Sequence, residues 1–125
     1  SSSYYETSSW PDPSQPKFIN IIIQSNTKFT PKKYLDIFKA IEKKLGRKKS
    51  FKNAPRTCDI DLISYFKKIS KNSIIIPHKR MHKRNFVLLP LYELDKNWSH
   101  PITNQSIKEL IFSLPIKDIT SIKQI

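Results

Sequence analysis

Between Thr30 and Gly46 apolar residues recur at helical spacing, through Tyr34, Leu35, Ile37, Phe38, Ile41 and Leu45. Thr30 followed by Pro31 has the residue types of a helix start, and Gly46 those of a stop, so this segment predicts an amphipathic helix. From Phe18 toward Gln24 the chain is β-branched and apolar apart from Asn20, the pattern of a buried strand that carries one polar side chain. Tyr4 to Thr7 predicts a short strand, followed by a proline-punctuated loop from Ser8 to Pro16. Cys58 to Tyr65 alternates as a strand would, with Ile60 and Leu62 on one face and Asp59 and Asp61 on the other. Further on, Ile74 to Ile76 predicts a short extended segment ending at Pro77. Phe86 to Leu94 predicts a helix from about Pro90, and Ser106 to Leu114 a last amphipathic helix. Strands and helices intermingle, which makes α+β the expected class.

Length and composition narrow this picture. A chain of 125 residues without a linker-like block or internal repeat fits one domain over residues 1–125. Its apolar runs fall far short of the ~20 residues that span a bilayer. The first residues, Ser1 to Glu6, have neither the basic nor the apolar region of a signal peptide, and Cys58 is the lone cysteine. A reducing, cytoplasmic setting is the expectation. The formal charge of +13 attracts phosphates on a nucleotide or a nucleic acid. Because 19 of the 23 basic residues are Lys, much of that surplus is ordinary solvated surface, and Arg47, Arg56, Arg80 and Arg84 carry more information.

Two clusters have chemical possibilities. Asp59 and Asp61, at i and i+2 of a strand, would set two carboxylates ~7 Å apart on one face. Mg²⁺ takes such oxygens and completes its shell with water and substrate phosphates, for which the basic loop bearing Arg47, Lys48, Lys49 and Arg56 is a fitting neighbour. The same spacing also describes the solvent face of an ordinary edge strand. The second cluster runs from Pro77 and His78 through Arg80, His82 and Arg84 to Phe86, where His and Arg could hold phosphate oxygens and Phe86 could stack. Spacing alone favours a basic surface turn entering a helix, with Phe86 in the core. With Gly46 the lone glycine, neither a P-loop nor a dinucleotide fingerprint can be built, and no His/Cys grouping has zinc spacing.

The order of motifs is more specific than any one of them: Tyr5-Glu6-Thr7, Gln15-Pro16-Lys17-Phe18-Ile19-Asn20, Gly46-Arg47, Pro55-Arg56-Thr57 with Asp59 and Asp61, Pro77-His78, then Arg84-Asn85-Phe86-Val87-Leu88 with Pro90-Leu91. From about Ser2 to Pro101 this order resembles the 6-hydroxymethyl-7,8-dihydropterin pyrophosphokinase family. The resemblance implies a ferredoxin-like α+β sandwich and a Mg²⁺-dependent transfer of diphosphate from ATP to the pterin hydroxymethyl group, releasing AMP, in folate synthesis. It implies that Asp59 and Asp61 hold two Mg²⁺ ions, and that Arg47, Arg56 and Asp61 are catalytic. Lys39, Glu42, Lys49, Leu62, His78 and Arg84 would contact ATP. The pterin would lie between Phe18 and Phe86, with its polar edge on Asn20 and the stretch of Thr7, Ser8 and Trp10, and with Asp59 alongside. That role would explain a polar Asn20 in an apolar strand.

Several positions depart from the family pattern. No Gly-Ser-Asn-Leu-Gly segment precedes Ser1, so the first strand and helix of the family are missing from the sequence, and open edges are expected where that strand would pair. The basic loop lacks the usual Trp near Asn53 and has Lys49 where a second Arg is common. Lys39 replaces a frequent Gln, and Lys79 a frequent Pro or Tyr. The competing expectations are an inactive remnant of the enzyme and a basic single-stranded nucleic-acid module. A bare Asp59 and Asp61 pair argues against the latter, because it would repel a phosphate backbone.

Overall fold

The computed structural model describes residues 1–8, 14, 16–26, 28–46 and 58–125. Among them lie two antiparallel sheets and four α-helices, so the chain is α+β, in keeping with the ferredoxin-like expectation. Two compact units make it up: Ser1–Asn26 with Lys79–Ile125, and Thr27–His78.

The first unit is organised by a three-stranded sheet, β1 (Tyr5–Thr7), β2 (Phe18–Asn20) and β5 (Lys123–Gln124), in the order β2-β1-β5. Tyr5 stands opposite Asn20 and Thr7 opposite Phe18, while Gln124 meets Tyr5 from the other side. The β1–β2 ribbon extends past its ladder where Ser2 N–H donates to the Ile22 carbonyl at 2.8 Å and the Ile22 N–H donates back to Ser2 Oγ at 2.9 Å.

The expected buried strand at Phe18 to Gln24 is therefore a short edge strand. Phe18 is 53% exposed and Ile23 70%, because among the described residues β2 has β1 on one flank and no strand on the other.

Against the sheet packs α2 (Asn85–Leu94), preceded by a 3-10 turn at Met81–Lys83. The helix begins five residues before Pro90 and contains it, contrary to the expected start near Pro90. A proline inside a helix forfeits a hydrogen bond, but here Pro90 is fully buried beside Val87 and Leu88, and that apolar burial offsets the loss. α3 (Ile107–Phe112) packs on α2 and contributes Ile107 and Leu110 to the same core. Ser106 caps α3 by accepting the Glu109 N–H at 3.1 Å. A short α4 (Ile116–Thr120) follows, and neither it nor β5 is expected from periodicity, since five and two residues are too few to display a period.

One carboxylate ties β1 to α2. Glu93 accepts the Ser3 N–H at 3.0 and 3.1 Å, the Ser3 hydroxyl at 2.6 Å and the Tyr5 hydroxyl at 2.9 Å. These Ser3 donors hold the Glu93 carboxyl below its usual range, while burial, reinforced by Glu93, pushes the Tyr5 hydroxyl up to about 12.

The second unit carries α1 (Pro31–Lys44), starting and stopping where the sequence predicts. Thr30 Oγ1 accepts the Lys33 N–H at 3.2 Å, Pro31 occupies the first turn, and Gly46 takes a φ of 93° beyond the end, a conformation that costs glycine little. Its aromatic stripe continues into a cluster in which Tyr34 meets Phe29, Phe38 and Tyr65 at ring separations of 5.8–6.5 Å. A two-stranded sheet of β3 (Ser70–Lys71) and β4 (Ile75–Ile76) leads to Pro77 and His78.

Residues 58–65 form no ladder among the described residues, which corrects the expected strand there. The alternation survives without it: Asp59 and Asp61 are exposed, and Ile60 and Leu62 half-buried. Period-two patterning turns side chains to opposite sides of any extended chain, but a strand also needs a neighbour.

Candidate functional site

The expected site residues fall into two groups, one in each unit. In Thr27–His78 Asp59 and Asp61 are exposed, on a segment held by hydrogen bonds to the main chain on either side of Asp61. The Ile60 N–H, between the two aspartates, donates to Glu42 Oε2 at 2.9 Å, and the His78 N–H donates to the Ile63 carbonyl at 2.8 Å. The second bond brings Pro77 and His78 alongside the end of the carboxylate segment, although His78 lies 15 positions beyond Ile63 in the chain. Leu62 and His78 are half-buried, and Lys39 is exposed on α1.

Glu42, expected to contact ATP, lies on α1 with an acceptor role toward the main chain. It is 6% exposed, on the inner side of α1, and its carboxylate meets main chain. A sequence signal for this exists: Tyr34, Phe38 and Glu42 follow each other at intervals of four, so an acid occupies a position on the apolar stripe.

In the other unit, Thr7, Asn20, Arg84 and Phe86 are half-buried, whereas Ser8 and Phe18 are exposed. Opposed residues of an antiparallel pair project to one face, as do residues two apart. Tyr5, Thr7, Phe18 and Asn20 thus share a face, and the Tyr5 hydroxyl reaching Glu93 identifies it as the face that α2 covers. Phe86 lies in the first turn of α2, with the Arg84 guanidinium 5.5 Å from its ring centroid. Phe18 and Asn20 therefore belong to the side of the sheet on which α2, the helix that carries Phe86, packs. The Asn85 amide fixes this end of α2 by donating to the Asp118 carbonyl at 2.6 Å. Trp10, Arg47, Lys49 and Arg56, also expected in the site, lie outside the described residues.

His100, in a loop beside Pro101, is only 6% exposed. Its Nδ1 accepts the N–H groups of Ile102 and Thr103 at 3.2 and 3.3 Å, and its ring stands edge-on to His82 and Trp98 at 6.3 and 5.9 Å. Burial, with a smaller contribution from His82, pulls its pKa below 6.5.

The donor chemistry is selective. Among the described residues no three of His, Cys, Asp or Glu gather as metal ligands, so they supply no closed zinc-type cage. Two exposed carboxylates with hard oxygens suit Mg²⁺ instead, which binds through one or two carboxylates and keeps places for phosphate oxygens and water.

Exposed paired aspartates that suit Mg²⁺, in a chain with a surplus of cations, are compatible with the class of enzymes that transfer phosphate groups. The model of the family described as 7,8-dihydro-6-hydroxymethylpterin-pyrophosphokinase matches residues 1–96. The chain is 35% identical over 109 residues to the 2-amino-4-hydroxy-6-hydroxymethyldihydropteridine pyrophosphokinase of Aquifex aeolicus, covering 86% of this chain and 68% of that protein. It is 37% identical over 111 residues to the protein of the same description from Synechocystis, covering 88% and 56%. Against the mitochondrial folate synthesis bifunctional protein of Arabidopsis thaliana it is 41% identical over 91 residues, 72% of this chain and 16% of that much longer one. This chain belongs to the 7,8-dihydro-6-hydroxymethylpterin-pyrophosphokinase family.

Proposed function

We propose that this chain transfers diphosphate from ATP to 6-hydroxymethyl-7,8-dihydropterin in folate synthesis. The observation that carries the reading is the family match over residues 1–96, which contains every residue the reaction calls on. In the reaction the hydroxymethyl oxygen attacks the β-phosphorus, the bond from that phosphorus to the α,β-bridging oxygen breaks, and AMP leaves with the bridging oxygen. Asp61 takes the hydroxyl proton. Such transfers ask a protein mainly for in-line positioning and charge stabilisation.

Asp59 and Asp61 would hold Mg²⁺, two ions in this reading, whose chemistry when bound is to neutralise phosphate charge and orient the phosphate oxygens. Arg47 and Arg56 stabilise charge on the transferred group. Lys39, Lys49, Leu62, His78 and Arg84 receive ATP. Phe18 and Phe86 sandwich the pterin ring, with Thr7, Ser8, Trp10 and Asp59 around it, and Asn20 reads its amide edge. Each stacked face adds about 1 kcal/mol beyond burial, whereas an unmatched amide edge costs about 1–3 kcal/mol, so Asn20 governs specificity.

No helix among the described residues is long and apolar enough to cross a membrane. We place the enzyme in the cytoplasm, on the reducing setting that a lone Cys58 suits.

The test is AMP release from ATP and Mg²⁺, with and without the dihydropterin, for this chain and Asp61→Asn. Pterin-dependent AMP that falls by about 100-fold or more in the variant is expected. AMP release that ignores the pterin, or survives Asp61→Asn, overturns the reading.

A further inference from the structure

The segment that carries Asp59 and Asp61 alternates in burial but forms no ladder among the described residues, so other contacts must hold its two carboxylates in register. Metal and phosphate chemistry tolerates about half an ångström of misplacement. The peptide N–H of Ile60 sits between the aspartates, in the plane that contains the Asp59 Cα, so fixing it orients Asp59 directly and Asp61 through the next peptide. Glu42 Oε2 accepts that N–H at 2.9 Å.

The acceptor's own setting is unusual. Glu42 is 6% exposed on a helix whose other acidic residue, Asp36, stands in solvent and pairs with Lys32 at 3.2 Å. A leucine would satisfy the apolar stripe of Tyr34 and Phe38, and burying a carboxylate there is costly unless it receives hydrogen bonds. A carboxylate accepting a backbone N–H makes a charge-assisted bond, about twice as strong as a neutral one, and it acts on a helix capped at Thr30 and therefore well fixed.

We propose that Glu42 is a positioning residue: by holding the Ile60 amide it sets the spacing and direction of the Asp59 and Asp61 carboxylates and so the affinity of the pair for a divalent cation. The inference rests on the reading of Asp59 and Asp61 as metal ligands given above. Glu42 touches neither cation nor nucleotide in this role, and its effect reaches the site through the main chain.

The experiment uses Mn²⁺ as probe, titrated by electron paramagnetic resonance with α,β-methylene-ATP present, for the wild-type chain, Asp61→Asn, Glu42→Leu and Glu42→Gln. Thermal midpoints and the exchange rate of the Ile60 amide proton are followed in parallel. Glu42→Leu is expected to speed Ile60 exchange and weaken Mn²⁺ binding by about tenfold or more, the size of effect that outer partners of metal ligands have. Glu42→Gln, which keeps an oxygen acceptor, is expected to preserve both.

Wild-type Mn²⁺ affinity in a folded Glu42→Leu variant overturns the proposal. So does Mn²⁺ affinity lost in Glu42→Gln while the Ile60 amide stays protected, which would assign the effect to charge rather than to position. The Glu42→Gln result decides even if Glu42→Leu fails to fold. Mn²⁺ binding unchanged by Asp61→Asn would instead overturn the metal-site reading, and the inference with it.

Discussion

Single residues in this chain are defined by what surrounds them more than by their type. His100 is the clearest case, because sequence context marks it as a loop residue next to Pro101, and the structure buries it with Nδ1 accepting two backbone N–H groups. That arrangement requires a neutral ring, and His82, the titratable neighbour at 6.3 Å, adds repulsion whenever both rings are charged. The pKa is lowered from 6.5, so the unfolded chain binds a proton more readily than the folded one. This contribution to stability is fully present above the folded-state and unfolded-state values and is lost as pH falls through 6.5 and below. The thermal midpoint should therefore drop by a few degrees between about pH 7.5 and about pH 5.5. His100→Asn, which offers an oxygen near the Nδ1 position, should flatten that slope in melts followed by circular dichroism. An unchanged slope in the variant would assign the pH dependence to other groups. Asn20 and Glu42 teach the same lesson from the opposite direction. Each is a polar residue in an apolar pattern, and such an interruption is visible in the sequence even though its partner is not.

Among the elements, those with strong local signals form where the pattern puts them. α1 has an aromatic stripe, a Thr-Pro start and a glycine stop, and each signal concerns residues within a few positions of one another. Its start depends on the Thr30 side chain satisfying the Lys33 N–H. Thr30→Ala should destabilise the chain by about 1 kcal/mol in urea denaturation, and Thr30→Asp should recover most of that. No loss in the alanine variant would mean that packing of the aromatic cluster alone sets the start of α1. Strands behave differently. Cys58 to Tyr65 alternates well yet has no ladder among the described residues, and Phe18 to Gln24 shrinks to an exposed edge. A helix closes its own hydrogen bonds, whereas a strand depends on a neighbour that the local sequence does not name. α2 begins at Asn85 because its buried face, Val87, Leu88 and Pro90, is shared with α3, and proline chemistry alone points to a later start.

For the whole molecule, the distribution of buried apolar side chains matters most. Among the described residues Tyr5, Met81, Val87, Leu88, Pro90, Ile107, Leu110 and Leu114 are buried in the first unit, against Ile76 and Pro77 in the second. Slow amide exchange follows buried contact density, so the amides of α2 and α3 should exchange at least about tenfold more slowly than those of α1 in hydrogen-exchange mass spectrometry. Equal protection would show that α1 opens only with the whole chain. The sequence by itself determined the α+β class, α1 and its ends, the aspartate pair and the ordered motifs that resemble the family, because these depend on residue types at short spacings and on their order. Tertiary structure alone decided that Glu42 faces the Ile60 amide, that His100 is buried, that Glu93 joins β1 to α2 and that β2 is an edge. Each of these is a relation between groups far apart in the chain, and no periodicity or propensity encodes which distant neighbour a residue will meet.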